Sequence, residues 1–167
     1  FNHGMVISHM LPMLGDRGLS DNLAVLAASM IGPMQVTGRL TMLIFERHVS
    51  VFAICCACFC SAFFAGCALF FSNLSLFLII PFVVFQGAGY GVLSIIRPTV
   101  ISELLGRKDF GTIAGLLAIG FVAGSAFSPT TASMLWATAG YDLVILVVLG
   151  IPLIAFLSLL TAWKARP

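Results

Sequence analysis

Apolar residues in this chain come in six long runs separated by short polar gaps. The runs cover about 1–14, 22–44, 49–71, 76–104, 110–136 and 143–163. Each run after the first matches or exceeds the roughly 20 residues that a helix needs to cross a hydrocarbon layer of about 30 Å. The gaps are built from turn-forming and charged residues: Gly15-Asp16-Arg17-Gly18, Glu46-Arg47-His48, Ser72-Asn73-Leu74-Ser75, Gly106-Arg107-Lys108-Asp109 and Gly140-Tyr141-Asp142. Strands of a membrane barrel would alternate apolar and polar residues over about ten positions. These runs are continuous and twice that length, and a helix satisfies its own backbone within one segment. The pattern predicts an all-α, polytopic transmembrane helix bundle. Phe1 already lies inside an apolar run, so the first helix reads as truncated and a longer chain is expected upstream.

Composition sharpens this reading. Only 8% of residues are charged and 60% are hydrophobic, whereas a soluble domain carries about 25% charged residues. No basic stripe suggests nucleic-acid binding, and no basic stretch followed by a short apolar run and a small-residue cleavage site suggests a secretory signal. The cations divide by side. If successive gaps alternate across the membrane, one side receives Arg39, Arg47, Arg107, Lys108, Lys164 and Arg166, and the other only Arg17. The excess of basic residues on cytoplasmic loops then predicts a cytoplasmic C-terminus.

Four of the five cysteines sit in Cys55-Cys56-Ala57-Cys58-Phe59-Cys60. Thiolates bind soft metals, but this run lies in an apolar span with no His, Asp or Glu beside it. It reads as polarisable packing, and neither a metal nor another cofactor is expected. No HExxH, GxSxG or intramembrane acidic pair points to an enzyme. The run Gly87-Ala88-Gly89-Tyr90-Gly91 lacks the nucleotide-binding spacing and follows no strand.

Polar groups inside the spans are the candidate functional residues, because each is costly to hold in hydrocarbon. Gln86, Tyr90 and Arg97 fall at offsets that share one helix face. At 1.5 Å per residue, Arg97 lies about 16 Å from Gln86, so it either lines a path or snorkels to the interface. Gln86 either lines the path or packs between helices. Gln35 and Arg39 share a face one turn apart, after Pro33, and Arg39 serves equally as an interfacial anchor. His9 is either a proton carrier or a partner for a neighbouring helix. Glu103 stands in the favourable order for a helical ion pair with Arg107, or else meets Arg39 or Arg47 as an inner gate. Gly87 and Gly91, Gly111 and Gly115, and Gly120 and Gly124 are each four apart, a spacing that lets helices approach closely.

With these residues in view, the chain resembles the C-terminal half of a major facilitator superfamily transporter, nearest to bacterial monocarboxylate and oxalate–formate porters. The carriers of the likeness are Gly32-Pro33-Met34-Gln35-Val36-Thr37-Gly38-Arg39, then Gly87-Ala88-Gly89-Tyr90-Gly91 with Pro98. Leu105-Gly106-Arg107-Lys108-Asp109-Phe110-Gly111 leading into Gly115, and Gly140-Tyr141-Asp142, complete it. The resemblance implies helices seven (in part) to twelve of a twelve-helix secondary carrier in the plasma membrane of a bacterium. Its partners would be the bilayer, an N-terminal six-helix half, a small organic solute and protons. It also implies an inner-loop gating motif at Gly38, Arg39, Glu46 and Arg47. The helix-eight cation that such porters use for a carboxylate is replaced by the neutral Gln35. Two other classes remain open on the residues alone: a non-transporting membrane scaffold or accessory subunit, and a membrane-embedded enzyme.

Overall fold

A computed structural model describes residues 1–165; Arg166, counted above among the cytoplasmic cations, lies outside the described residues. The chain is 89% helix. Its elements are α1 (Asn2–Ser8), α2 (Met10–Asp16), α3 (Asp21–Phe45), α4 (Val51–Phe70) and α5 (Ile79–Leu105), followed by the helical stretch Phe110–Lys164. Short 3-10 turns at Phe71–Asn73 and Leu76–Leu78 join α4 to α5. Among the described residues, four stretches are long and apolar enough to cross a membrane: Asp21–Phe45, Val51–Asn73, Leu76–Leu105 and Phe110–Lys164.

The last of these spans 55 residues, about 80 Å if straight and far longer than one crossing requires. It is interrupted. Ala139 (φ −149°, ψ 25°) and Gly140 (φ +71°, ψ −168°) leave helical geometry, and the Gly140 conformation is one that only glycine adopts readily. The two arms are named α6 (110–138) and α7 (141–164). The Gly140 turn expected from the sequence is therefore present as a sharp break between them.

The first run behaves differently from expectation. In place of one truncated helix, it forms two short helices that meet at His9 (φ −110°, ψ 10°). Pro12 accounts for this. It has no N–H to offer the Ser8 carbonyl, and its ring would collide with that carbonyl in a continuous helix.

Packing is organised around α5, which has α3 along one side and α4 along another. The close-approach expectation holds for one of the three glycine pairs. A Cβ at Gly87 would fall 2.8 Å from the Ile31 carbonyl oxygen, and one at Gly91 would fall 2.7 Å from the Gln35 Cα. From the other helix, a Cβ on Gly38 would fall 2.7 Å from the Ala88 Cα. Gly89 faces the opposite way, toward Ser61 of α4, whose hydroxyl donates to the Phe85 carbonyl at 2.7 Å. By contrast, Gly111, Gly115 and Gly120 of α6 have nothing within 4 Å, and Gly124 meets only the Phe1 side chain. Those pairs close no helix contact among the described residues.

Two apolar clusters mark the two ends of the bundle. The larger includes Met5, Met10, Leu14, Leu69, Phe82, Val144 and Ile145. The smaller joins Cys55, Ile96 and Leu159 with Met42, Phe52 and Trp163, and the Phe52 and Trp163 rings lie 4.9 Å apart. At the larger cluster's end, Arg17 Nη2 donates to Asp142 Oδ1 at 2.5 Å, with the Arg17 side chain 2% exposed. The α2–α3 and α6–α7 connections are thus at the same end, as strict alternation of the helices requires. That contact also neutralises the one basic residue expected on that side.

Candidate functional site

The glycines of α5 assign its faces. Gly87 and Gly91 turn toward α3 and Gly89 toward α4, which leaves a third face for Gln86, Tyr90, Leu93 and Arg97. All four line one cavity of about 200 Å³, closed from the other side by His3 of α1, Phe121 of α6 and Pro152 of α7. The shared face expected for Gln86, Tyr90 and Arg97 is present, and it looks into the bundle.

The cavity holds a connected set of polar contacts. The His3 ring stacks on the Tyr90 ring with centroids 3.5 Å apart and planes 8° apart. Gln86, 5% exposed, brings Nε2 within 3.3 Å of His3 Nδ1. The Arg97 guanidinium carbon lies 3.7 Å above the centre of the Phe121 ring. This is a cation–π arrangement, worth more when desolvated than at an exposed surface. Asn2 completes the wall, and its Oδ1 is buried with no hydrogen-bond partner among the described residues. Among the described residues, no Asp or Glu lines the cavity. Chemically, it offers a fixed cation, an imidazole, two amides, a phenol and the Cys58 thiol, with aromatic surface between them.

Sequence reasoning missed His3 and Asn2. The signal was present: an imidazole and an amide within the apolar first run are as costly there as Gln86 is in the fourth. No helical spacing tied them to the other polar residues, because the partners of His3, Gln86 and Tyr90, are 83 or more positions away along the chain.

The remaining candidates lie elsewhere. Gln35 does not line this cavity; its backbone lies against Gly91 where α3 is seated on α5. Arg39 is more than an anchor. Its Nε donates to the Gly91 carbonyl and its Nη2 to Ser94 Oγ, both at 3.2 Å, tying α3 to α5 beside the buried Gly38. His9 faces α6 and α7. Its Nε2 lies 3.0 Å from Ser133 Oγ and its Nδ1 3.5 Å from the Tyr141 hydroxyl. It joins neighbouring elements and is not part of the cavity.

The inner ion pairs are corrected. α5 ends at Leu105, and Gly106 (φ +80°) turns the chain away. Arg107 is therefore off the helix, and the i, i+4 geometry with Glu103 does not exist. Among the described residues, Glu103 is exposed and pairs with none of Arg39, Arg47 and Arg107. Glu46 and Arg47 are likewise exposed and unpaired among the described residues. Glu46 stands at the rim of an apolar groove of about 430 Å³ between α3, α4 and α5. Cys55 and Cys58 are buried, Cys56 and Cys67 are half-buried and Cys60 is exposed.

Comparison with protein-family models, with curated proteins and with solved structures finds no match to this chain.

Proposed function

We propose that this chain belongs to the membrane-embedded body of a secondary carrier of major facilitator type. It would contribute six helices of the twelve and move a small organic solute by alternating access. One observation carries the reading: Gln86, Tyr90, Arg97 and His3, from two separate helices, converge on a single cavity inside an otherwise apolar bundle. A scaffold has no need to gather its costly polar groups at one place. An enzyme would need a metal set or a nucleophile bonded to a base beside them; among the described residues the lining's one thiol, Cys58, makes no hydrogen bond to His3. The order of glycine and basic motifs along the chain supports the family assignment, and the distribution of cations supports a cytoplasmic C-terminus in a bacterial plasma membrane.

In this reading the cavity is the solute site, and the rest of a twelve-helix bundle, with the bilayer, covers the outward apolar faces. Protons are the expected coupling ion. The test is uptake of small labelled organic acids and neutral solutes into liposomes holding the whole protein, with and without an imposed proton gradient. Saturable uptake that falls at least tenfold in Gln86→Leu, with folding retained by circular dichroism, is the expected result. A folded protein that accelerates no flux of any solute overturns the carrier reading in favour of a scaffold.

A further inference from the structure

The break that Pro12 forces leaves His9 at the junction of α1 and α2, with its ring against α6 and α7. The exposed Ser133 hydroxyl lies 3.0 Å from His9 Nε2, and the Tyr141 hydroxyl lies 3.5 Å from His9 Nδ1. We propose that Ser133 is a nucleophilic serine, with His9 as its base and Tyr141 as the residue that positions His9, and that it accepts an acyl group from the ester of a bilayer lipid. None of the three lines the central cavity, so this site goes beyond the carrier reading and does not rest on it.

Three observations carry this. The first is the direction of the hydroxyl. A serine inside a helix ordinarily bonds back to a carbonyl of its own turn. Among the described residues, every other serine or threonine hydroxyl that donates a bond gives it to a backbone carbonyl. Ser133 is the one whose contact is a nitrogen able to accept. The second is the order of the groups: a nucleophile within reach of a base, and the base oriented by a third group. Tyr141 is 8% exposed, and its ring meets the His9 ring edge-on with centroids 6.0 Å apart. Its oxygen is thus held in place to accept from Nδ1–H, which turns the Nε2 lone pair toward Ser133.

The third is depth. At 1.5 Å per residue, α6 (110–138) is about 43 Å long, the thickness of a bilayer with its headgroup layers, about 40–45 Å. About 30 Å of that is hydrocarbon, so each headgroup layer takes about 6 Å. Ser133 lies about 8 Å along the axis from the end of α6, just inside the boundary, where lipid ester carbonyls sit. The Trp136 and Tyr141 rings, 6.0 Å apart, flank this level, as aromatic rings do at an interface. The step balances without a further reactant. Ser133 Oγ attacks the ester carbonyl carbon and its proton passes to His9 Nε2. The bond to the lipid's alkoxy oxygen then breaks, and that oxygen takes the proton from His9 and leaves as the hydroxyl of a lysolipid. The acyl group remains on Ser133.

The experiment places the whole protein in nanodiscs of a diester phospholipid, or of its diether analogue with the same chains and headgroup. Peptide mass spectrometry reads acyl-Ser133, and lysolipid is measured beside it. Acyl-Ser133 and an equal amount of lysolipid are expected in the diester discs, and neither in the diether discs or in Ser133→Ala. In the diether discs, an alkyl fluorophosphonate should label Ser133 about 10²-fold faster than Ser29, the gain expected of a positioned base. Ser29 is an exposed hydroxyl that donates to the Leu26 carbonyl instead. In His9→Gln, shown to be folded by circular dichroism, labelling of Ser133 should fall to the Ser29 rate. Ring-nitrogen NMR should find the His9 proton on Nδ1, and Tyr141→Phe, which keeps the aromatic packing, should move it to Nε2 and slow the labelling. A bond that merely joined two helices would give none of these responses. The proposal is overturned by diester discs without acyl-Ser133, by labelling no faster than at Ser29, or by unchanged labelling in folded His9→Gln. A His9 proton found on Nε2 in the parent also overturns it. Solute flux bears on none of these readouts, so this site and the carrier reading fail separately.

Discussion

The contact between α3 and α5 makes a quantitative prediction about Gly91. In Gly91→Ala, the new Cβ would lie 2.7 Å from the Gln35 Cα, whereas carbon atoms rest at about 3.5–4.0 Å. The two helices must part by about 1 Å, and overpacking of this kind costs about 1–3 kcal/mol. Parting them also stretches the 3.2 Å bond from Arg39 Nε to the Gly91 carbonyl, a further loss of about 1 kcal/mol. Against this, alanine is a better helix former than glycine by up to about 1 kcal/mol. The balance is a destabilisation of about 1–3 kcal/mol. Gly120→Ala is the matched control. It is also a helix-interior glycine, but nothing lies within 4 Å of its Cβ position. Only the propensity gain acts there, so the variant should equal or exceed the parent in stability. Reversible unfolding in mixed micelles, followed by far-ultraviolet circular dichroism, measures both. If Gly91→Ala is as stable as the parent, or if the two variants change stability equally, the close helix approach argued for α5 is wrong.

Asp142→Ala should cost about 2–3 kcal/mol, measured in the same way. It strands the Arg17 charge in a site where that side chain is 2% exposed, while the hydrated position of Asp142 keeps the loss at or below the low end for broken buried pairs. Adding Arg17→Met should recover much of it, since no buried charge then remains. Gly140→Val should lower the unfolding midpoint, at a cost of about 1–3 kcal/mol, because φ +71° with ψ −168° excludes a branched side chain. An unchanged midpoint would mean that the break between α6 and α7 is not fixed by this residue.

The helical class and the helix ends could be read from the sequence because both follow from one-dimensional signals. Hydrocarbon demands long apolar runs, and the gaps between runs are where turn residues accumulate. Leu105-Gly106 and Gly140 show this directly, since each glycine adopts a positive φ at the place where the apolar run stops. The break at His9 was also written in the sequence, in the Pro12 that cannot bond back to Ser8, but it is hidden by the unbroken hydropathy around it. Side-chain pairing was less legible. The offsets of Gln86, Tyr90 and Arg97 fixed a shared face, because a helix has only one periodicity. They could not say what that face meets. His3, Phe121 and Pro152 arrive from three other helices, and that meeting depends on how all of them pack. The expected Glu103 and Arg107 pair failed for a related reason: the spacing rule presumes that the helix continues to Arg107, and a glycine one residue earlier ends it.

The distribution of close contacts also says which part of the bundle resists movement around the cavity. On one side, α3, α4 and α5 are joined through backbone-to-backbone approach at Gly38, Gly87 and Gly91, through the Ser61 hydroxyl, and through the two Arg39 bonds. Sliding any of these helices by a fraction of a turn would drive side chains into backbone. On the other side, α1 and α6 are joined to each other where Gly4 meets Ser128 and where His9 meets Ser133. Their links to α5 across the cavity are of another kind: the His3 ring on Tyr90, the Gln86 amide on His3, and the Phe121 ring under Arg97. Stacked rings and a single amide hydrogen bond can separate without any atom passing through another, at a cost of about 1 kcal/mol for each contact. The cavity therefore lies on the seam between the backbone-keyed group and the α1–α6 pair, which shares with α5 the apolar cluster of Met5, Phe82 and Ala132. In the proposed carrier reading, the residues that line the seam are the same ones that would hold a solute, so filling the cavity and holding its two walls together would draw on the same contacts.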